Sequence, residues 1–122
     1  MLHEECLTGA MVSGATIFPS ALNYGSSWDS ALVEAIGQAI GSELRSLGIH
    51  QGLAPVLDVA RDARWGRLEE TFGEDPFLCG VMGSAYVNGL QGAERKPIAT
   101  LKHFIEHSAS EGGRNHAPVH LG

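Results

Sequence analysis

Three stretches, with the patterns of a strand, a helix and a strand in turn, decide the fold: IHQGLAPVLDV at residues 49–59, DPFLCGVMGSAYVNGL at residues 75–90 and IATLKHF at residues 98–104. The first is apolar at nearly every position after Gly52, as is typical of a strand buried on both faces. The second begins with Asp75 as an N-cap and Pro76 in the first turn, which is a strong helix start. The third opens with a short apolar strand, Ile98 to Leu101, and Lys102-His103 follow at its end. Alternation of strand, helix and strand predicts an α/β fold with a parallel sheet and helices outside it.

A further helix is predicted ahead of these stretches. Asp29 suits an N-cap and Gly48 a C-terminal stop, as Gly92 does for the helix that begins at Asp75. Three-and-four spacing predicts one buried stripe, made of Leu32, Ile36, Ala39, Ile40, Glu43, Leu44 and Leu47. Residues 14–19 predict a brief strand or extended segment, and residues 23–27 predict a turn-rich connection.

Composition limits the class of protein and its partners. The 122 residues are 43% apolar and 18% charged, which is typical of a soluble globular chain with one small domain. A net charge of −6 argues against nucleic acid or an anionic membrane as the main partner. There is no signal segment at Met1 and no apolar run of membrane-spanning length. The compartment, cytoplasmic or secreted, stays open, because a missing signal means little if the true N-terminus is missing too. Cys6 and Cys79 are interpreted as small buried side chains, with a disulfide possible but unsupported.

The pair Lys102-His103 is the first candidate site. A buried strand has no partner for such a pair, and desolvating an unpaired charge costs several kcal/mol. Both side chains are therefore expected at a strand end, facing a polar pocket, although a merely solvated strand end is the alternative. The adjacent carboxylates Glu4 and Glu5 cannot both face one way on a strand, so that Glu5 either faces the pocket or, like Glu4, is surface charge.

A second candidate site lies at residues 61–67, where three arginines, an aspartate and a tryptophan crowd together. Guanidinium groups bind hydroxyls and carboxylates with fixed geometry, and indole offers a flat apolar wall. Polyols such as sugars call for this mixture. The alternative is an Arg-Asp network that is only structural.

The histidines raise a competing hypothesis of a zinc site. His103/His107 and His116/His120 both have the four-residue spacing that binds zinc from one helix face. The glycines and proline between residues 112 and 118 favour a loop instead of that helix. A metal site is accordingly not expected.

Four segments carry a family resemblance: GATIFP at residues 14–19, APVLDVA at residues 54–60, DARWGRLEETFGEDP at residues 62–76 and LKHF at residues 101–104. Together they resemble the N-terminal domain of glycoside hydrolase family 3. The resemblance implies a (β/α)8 TIM-like barrel. Since such a barrel needs about 250 residues, residues 1–122 are expected to be a fragment, about the first half of one domain. The implied activity is that of a glycosidase in carbohydrate catabolism. It would release terminal non-reducing β-D-glucosyl or β-D-xylosyl residues by a retaining mechanism, as β-glucosidases and β-xylosidases do.

The resemblance also implies roles for particular residues. Lys102, His103 and Arg67 would hold the hydroxyls of the terminal sugar, and Glu5, or less closely Glu4, would do similar work. Ile105-Glu106 departs from the small pair that commonly follows the family's Lys-His-Phe, which affects the shape of the sugar subsite.

The catalytic pair of the family is not found in this sequence. The nucleophile, an aspartate in a Ser-Asp-Trp context, and the acid/base are expected beyond Gly122, so that this fragment alone is expected to be inactive. The expected partners are a small or oligosaccharide β-glycoside and the remainder of its own chain, with no cofactor and no metal. The alternative is a non-catalytic sugar-binding remnant that lacks the nucleophile.

Overall fold

A computed structural model describes residues 1–95 and 97–120 of the chain. Its elements in chain order are β1 (His3–Glu4), α1 (Ala21–Ser27), α2 (Ser30–Ser46), β2 (Gln51–Gly52), α3 (Pro76–Gln91) and β3 (Ile98–Ala99). Short 3-10 turns cover Leu68–Glu70, His107–Ala109 and Glu111–Gly113. The α/β class predicted from the alternating pattern is confirmed.

The sheet is parallel, with the strands in chain order β1-β2-β3. A parallel bridge between Val56 and Lys102 continues the contact past the ends of β2 and β3. The prediction of a strand throughout residues 49–59 was wrong in length, because regular strand covers only Gln51–Gly52. Pro55 has no N–H to donate to a ladder, so regular strand does not continue through Ala54, Pro55 and Val56, although all three are buried.

The two predicted helices begin at the predicted caps. The side chain of Asp29 accepts a hydrogen bond from the N–H of Leu32 at 3.0 Å, and Asp75 accepts one from Leu78 at 2.7 Å. Gly48 follows α2 with φ 74°, a left-handed conformation that favours glycine.

Helix α1 was not predicted, because its sequence is rich in turn-forming residues. The hydroxyls of Ser26 and Ser27 donate back to the carbonyls of Leu22 and Tyr24, which satisfies these polar groups within the helix. Burial of Ala21 and Tyr24 against the core supplies the tertiary support. Residues 14–19 form neither helix nor strand.

Helices α2 and α3 meet through glycines, and we call this contact the helix interface. A Cβ added at Gly37 would lie 2.7 Å from the carbonyl oxygen of Tyr86, and one at Gly41 would lie 2.2 Å from that of Leu90. On α3, a Cβ at Gly89 would lie 2.1 Å from the carbonyl oxygen of Glu34. The two backbones are therefore in direct contact.

This close approach corrects the predicted stripe of α2. Ile40 and Leu44 are buried as predicted, but Leu32 and Leu47 are 48% and 46% exposed. The buried face of α2 also includes Val33, Gly37 and Gly41, which the predicted stripe left out. Hydropathy spacing does not count glycine as a contact residue, and so it misplaced the face.

The core lies between the helices and the sheet. Its largest fully buried side chain is Tyr86, whose hydroxyl donates to the carbonyl oxygen of Cys6 and so joins α3 to the segment after β1. Cys6 and Cys79 are both free and buried, which confirms their interpretation as small buried side chains. Burial raises the pKa of the Cys6 thiol to about 11.

Candidate functional site

The carboxyl ends of the strands carry the candidate functional groups. Glu5 directly follows β1, Asp58 closes the apolar run after β2, and Lys102 and His103 follow β3. In a parallel sheet these ends meet at one edge, which is where α/β proteins place their sites. With Arg67 and Glu70 from the loop before α3, these residues form what we call the strand-end site.

Lys102 is paired with Glu5. Its Nζ lies 2.9 Å and 3.1 Å from the two carboxylate oxygens of Glu5, although the two residues are 97 positions apart. The Lys102 side chain is 15% exposed and that of Glu5 46%. Glu4, the less close match, turns its carboxylate to the backbone N–H of Glu5 at 2.8 Å. Of the two acidic residues considered in the sequence, Glu5 is the one at Lys102.

His103 is paired with Asp58. The ring Nδ1 lies 2.7 Å from Asp58 Oδ2, and the backbone N–H of His103 donates to the same oxygen at 3.1 Å. The ring of His103 meets that of His107 edge-on, with the centroids 4.8 Å apart, and His107 meets Trp65 in the same way at 5.4 Å. The indole N–H of Trp65 donates to Asn115 at 3.0 Å, so the loop after His103 is packed over this pair.

Arg67, which precedes the 3-10 turn Leu68–Glu70, is held by Glu70 of that turn. Two parallel hydrogen bonds of 2.8 Å and 2.7 Å join the guanidinium to the carboxylate. The bond to Glu70 raises the pKa of Arg67 above its ordinary value, with smaller contributions from the charges of Glu5 and Asp58. Arg67 also lies near Glu5, because both side chains line the same cavity.

Two cavities adjoin these groups. Glu5, Arg67 and Glu70 line one of about 400 Å³, whose other wall includes Leu7 and Met11. A second cavity of about 280 Å³ is lined by residues that include Asp58 and His103. Lys102 lines neither and reaches the first through its ion pair with Glu5.

In the arginine-rich loop at residues 61–67, Arg64 forms the Arg-Asp pair that was the alternative to a binding site. Arg64 binds Asp62 on the surface, with its side chain 72% exposed, and the pair lowers the pKa of Asp62 to about 2. Arg67, by contrast, lines a cavity.

Within residues 1–95 and 97–120, no group of three or more His, Cys, Asp or Glu side chains could hold a metal ion. Over the same residues, no helix is long and apolar enough to cross a membrane.

Sequence reasoning missed two members of the strand-end site, Asp58 and Glu70. Asp58 ends an otherwise apolar run, and a lone carboxylate at a strand end is the signal that could have identified it. Glu70 lies three residues after Arg67, but several neighbouring carboxylates made the choice of partner ambiguous.

Fold and site together define a class: an α/β protein that presents paired cations and carboxylates at the carboxyl ends of parallel strands. The chain belongs to the glycosyl hydrolase family 3 N terminal domain, whose family model matches residues 1–121. The family predicted from the sequence motifs is therefore confirmed.

Relatives with this similarity are named as glycosidases. A β-xylosidase of Formosa agariphila is 38% identical over 121 residues, which is 93% of this chain and 17% of the relative. A periplasmic β-glucosidase of Salmonella typhimurium is 38% identical over 110 residues, which is 87% of this chain and 14% of the relative. The chain thus spans less than a fifth of the length of these relatives.

Solved structures match just as closely. A β-glucosidase from Erythrobacter marinus superposes with a TM-score of 0.93 at 39% identity, over 98% of this chain and 17% of that one. A β-glucosidase from Listeria innocua, solved as a mutant in complex with laminaribiose, superposes with a TM-score of 0.90 at 34% identity, over 98% of this chain and 17% of that one.

Proposed function

We propose that the protein carrying this chain hydrolyses O-glycosyl bonds and releases terminal non-reducing β-D-glucosyl or β-D-xylosyl residues by a retaining mechanism. One observation carries the proposal: three cationic or basic side chains at the strand ends are each held by a carboxylate at 2.9 Å or less. A sugar ring needs donors and acceptors in fixed positions, and such pairs provide both. The names of the family relatives support the reaction.

In this proposal each predicted residue binds the terminal sugar. Lys102 and Arg67 donate hydrogen bonds to sugar hydroxyls, and the partly exposed carboxylate of Glu5 accepts hydrogen bonds from sugar hydroxyls. His103 contributes the ring nitrogen that does not face Asp58. Hydrogen bonds that tighten as the ring distorts in the transition state accelerate the reaction as well as binding the sugar.

The three strands are proposed to be part of a (β/α)8 barrel, with residues 1–122 in one domain. The parallel order of the strands and the helices in both connections support this proposal. The remainder of the chain would complete the barrel against β1 and β3, each of which is paired on one side only within the described residues.

Retaining hydrolysis needs a carboxylate nucleophile and a carboxyl acid about 5–5.5 Å apart across the glycosidic bond. At the strand-end site Glu5, Asp58 and Glu70 are each bound to a cation or an imidazole. We therefore assign the pair to the part of the relatives' length that this chain does not span.

The same observation favours a second candidate, a protein that binds sugar without cleaving it. Paired side chains of this kind can hold the hydroxyls of a bound sugar without any carboxylate being free to attack or protonate it.

Assay of the intact protein separates the two candidates. We expect hydrolysis of 4-nitrophenyl β-D-glucoside or β-D-xyloside, with the β-anomer as the first sugar released when the reaction is followed by NMR. The matched α-glycosides are the control and should not react. Glucose or xylose binding in calorimetry without any turnover would favour the second candidate, and an inverted first product would overturn the retaining mechanism.

A further inference from the structure

Asp58 is the carboxylate of the strand-end site that is cut off from solvent. Its side chain is 0% exposed, whereas that of Glu5 is 46% exposed and that of Glu70 22%. An ionised carboxylate in such a position needs hydrogen bonds to offset its desolvation. Among residues 1–95 and 97–120, the hydrogen bonds that Asp58 accepts through its side chain all come from residues after β3.

The first oxygen, Oδ2, fixes the ring of His103. It receives the backbone N–H at 3.1 Å and lies 2.7 Å from the ring Nδ1. Because an ionised carboxylate can only accept, the proton of a neutral ring must lie on Nδ1. The other ring nitrogen, Nε2, is then an acceptor free of Asp58, on a side chain that lines the cavity of about 280 Å³.

The second oxygen, Oδ1, fixes the turn that follows. It accepts the backbone N–H of Ser108 at 3.2 Å, while the Ser108 hydroxyl donates to the carbonyl of Val59 at 2.7 Å. One buried carboxylate therefore sets both the orientation of His103 and the position of the turn His107–Ala109 over it.

We propose that Asp58 is a positioning residue for His103, which holds the Nδ1-protonated form of the ring and directs Nε2 to a substrate hydroxyl. Asp58 itself does not touch the substrate. This inference rests on the proposed function, because it assigns the hydroxyl contact of His103 to one ring nitrogen.

A double-mutant cycle in the intact protein tests the inference. Asp58→Asn keeps the shape of the side chain but removes its charge and one acceptor. We expect kcat for the β-glycoside to fall about tenfold to a hundredfold, the usual cost of losing a group that orients a functional histidine, with a smaller change in KM. In a His103→Ala background the same change should cost less than about twofold, because no ring remains to be oriented.

Ser108→Ala is the matched control. It removes the hydroxyl bond to Val59 but keeps the backbone bond to Asp58, so it loosens the turn without touching the ring of His103. Thermal unfolding should report a loss of stability in this variant while kcat stays within about twofold of the wild type. Equal losses from Asp58→Asn in the two His103 backgrounds would overturn the inference and leave Asp58 a structural residue only.

A second measurement does not depend on whether Asp58→Asn folds. In the wild-type protein labelled with 15N-histidine, the His103 signals are identified by their absence in His103→Ala. At a pH where the ring is neutral, we expect the proton on Nδ1, and a proton on Nε2 would overturn the inference.

The proposed function and this inference can fail separately. If the wild type binds glucose or xylose but does not cleave glycosides, the double-mutant cycle is measured on the Kd for the sugar. Non-additive changes in that Kd then support the positioning role of Asp58. If the wild type hydrolyses glycosides but the losses from Asp58→Asn and His103→Ala are additive, the positioning role of Asp58 is refuted and the proposed function stands. A wild type that neither binds nor cleaves would overturn both.

Discussion

The helix interface and the strand-end site are built on opposite principles. At the helix interface, backbone meets backbone at Gly37, Gly41 and Gly89. At the strand-end site, by contrast, long side chains meet in pairs at hydrogen-bond distance: two ion pairs and one imidazole–carboxylate pair. The first has no room for one added methyl group, whereas the second adjoins open cavities.

The contrast teaches that close packing and the proposed ligand contacts are placed in different residues of this chain. Close packing makes the helix interface sensitive to volume, because protein interiors have few voids. The pairs of the strand-end site are sensitive to charge and hydrogen bonding. Substitutions in the two regions should therefore change different measurements.

The largest effect is expected from Gly89→Ala at the helix interface. The new Cβ would meet the carbonyl oxygen of Glu34 at 2.1 Å, so that α2 and α3 must separate. We expect the free energy of unfolding of the intact protein to fall by about 3 kcal/mol, at the upper end of the usual cost of overpacking. Gly80→Ala, on the same helix with nothing within 4 Å of its Cβ, is the control and should stabilise the protein by about 0.5–1 kcal/mol. Equal effects of the two substitutions would break the comparison.

Next in size is Lys102→Ala at the strand-end site. We expect kcat/KM for an aryl β-glycoside to fall by at least about a hundredfold, the loss typical of a donor to the transition state. Thermal unfolding should change little, because Glu5 is 46% exposed and water can solvate its freed carboxylate. Arg64→Ala removes a surface cation from the neighbouring loop and should leave kcat/KM unaffected. An unchanged kcat/KM in Lys102→Ala would remove this lysine from the site.

The smallest effect separates two buried tyrosines of the core. Tyr86→Phe leaves the buried carbonyl of Cys6 without its donor and should lower the free energy of unfolding by about 1–2 kcal/mol in urea. The buried hydroxyl of Tyr24 has no hydrogen-bond partner among the described residues, so Tyr24→Phe should be neutral or slightly stabilising. Neither should change kcat. A larger loss in Tyr24→Phe than in Tyr86→Phe would contradict the assigned bond.

The sequence predicted what local signals determine. Asp29, Asp75 and the glycines after each helix placed α2 and α3 correctly, because caps act within one turn. Helix α1 was not predicted, because its serines are typical of turns. In the structure their hydroxyls donate to carbonyls of the same helix, which packs against the core.

For the candidate site, the sequence located charges but not all their partners. Lys102, His103, Arg67 and Glu5 were predicted from the family resemblance, and the structure adds that Lys102 is paired with Glu5. Asp58 was visible as a strand end, but its bond to His103 depends on how β2 and β3 are paired, which no local pattern encodes. The length of β2 was overestimated for the same reason, since hydropathy reports burial and not pairing.

The sequence distances within the three pairs imply an order of assembly. Arg67 and Glu70 are three residues apart, whereas His103 and Asp58 are 45 apart and Lys102 and Glu5 are 97 apart. Contacts between distant residues form only after the intervening chain has closed its loops, which costs entropy that local contacts do not. A newly made chain thus completes its arginine pair within one turn but acquires the lysine pair only when β1 and β3 flank β2. The complete strand-end site would then exist only in fully folded molecules, while partly folded ones would hold its arginine pair alone.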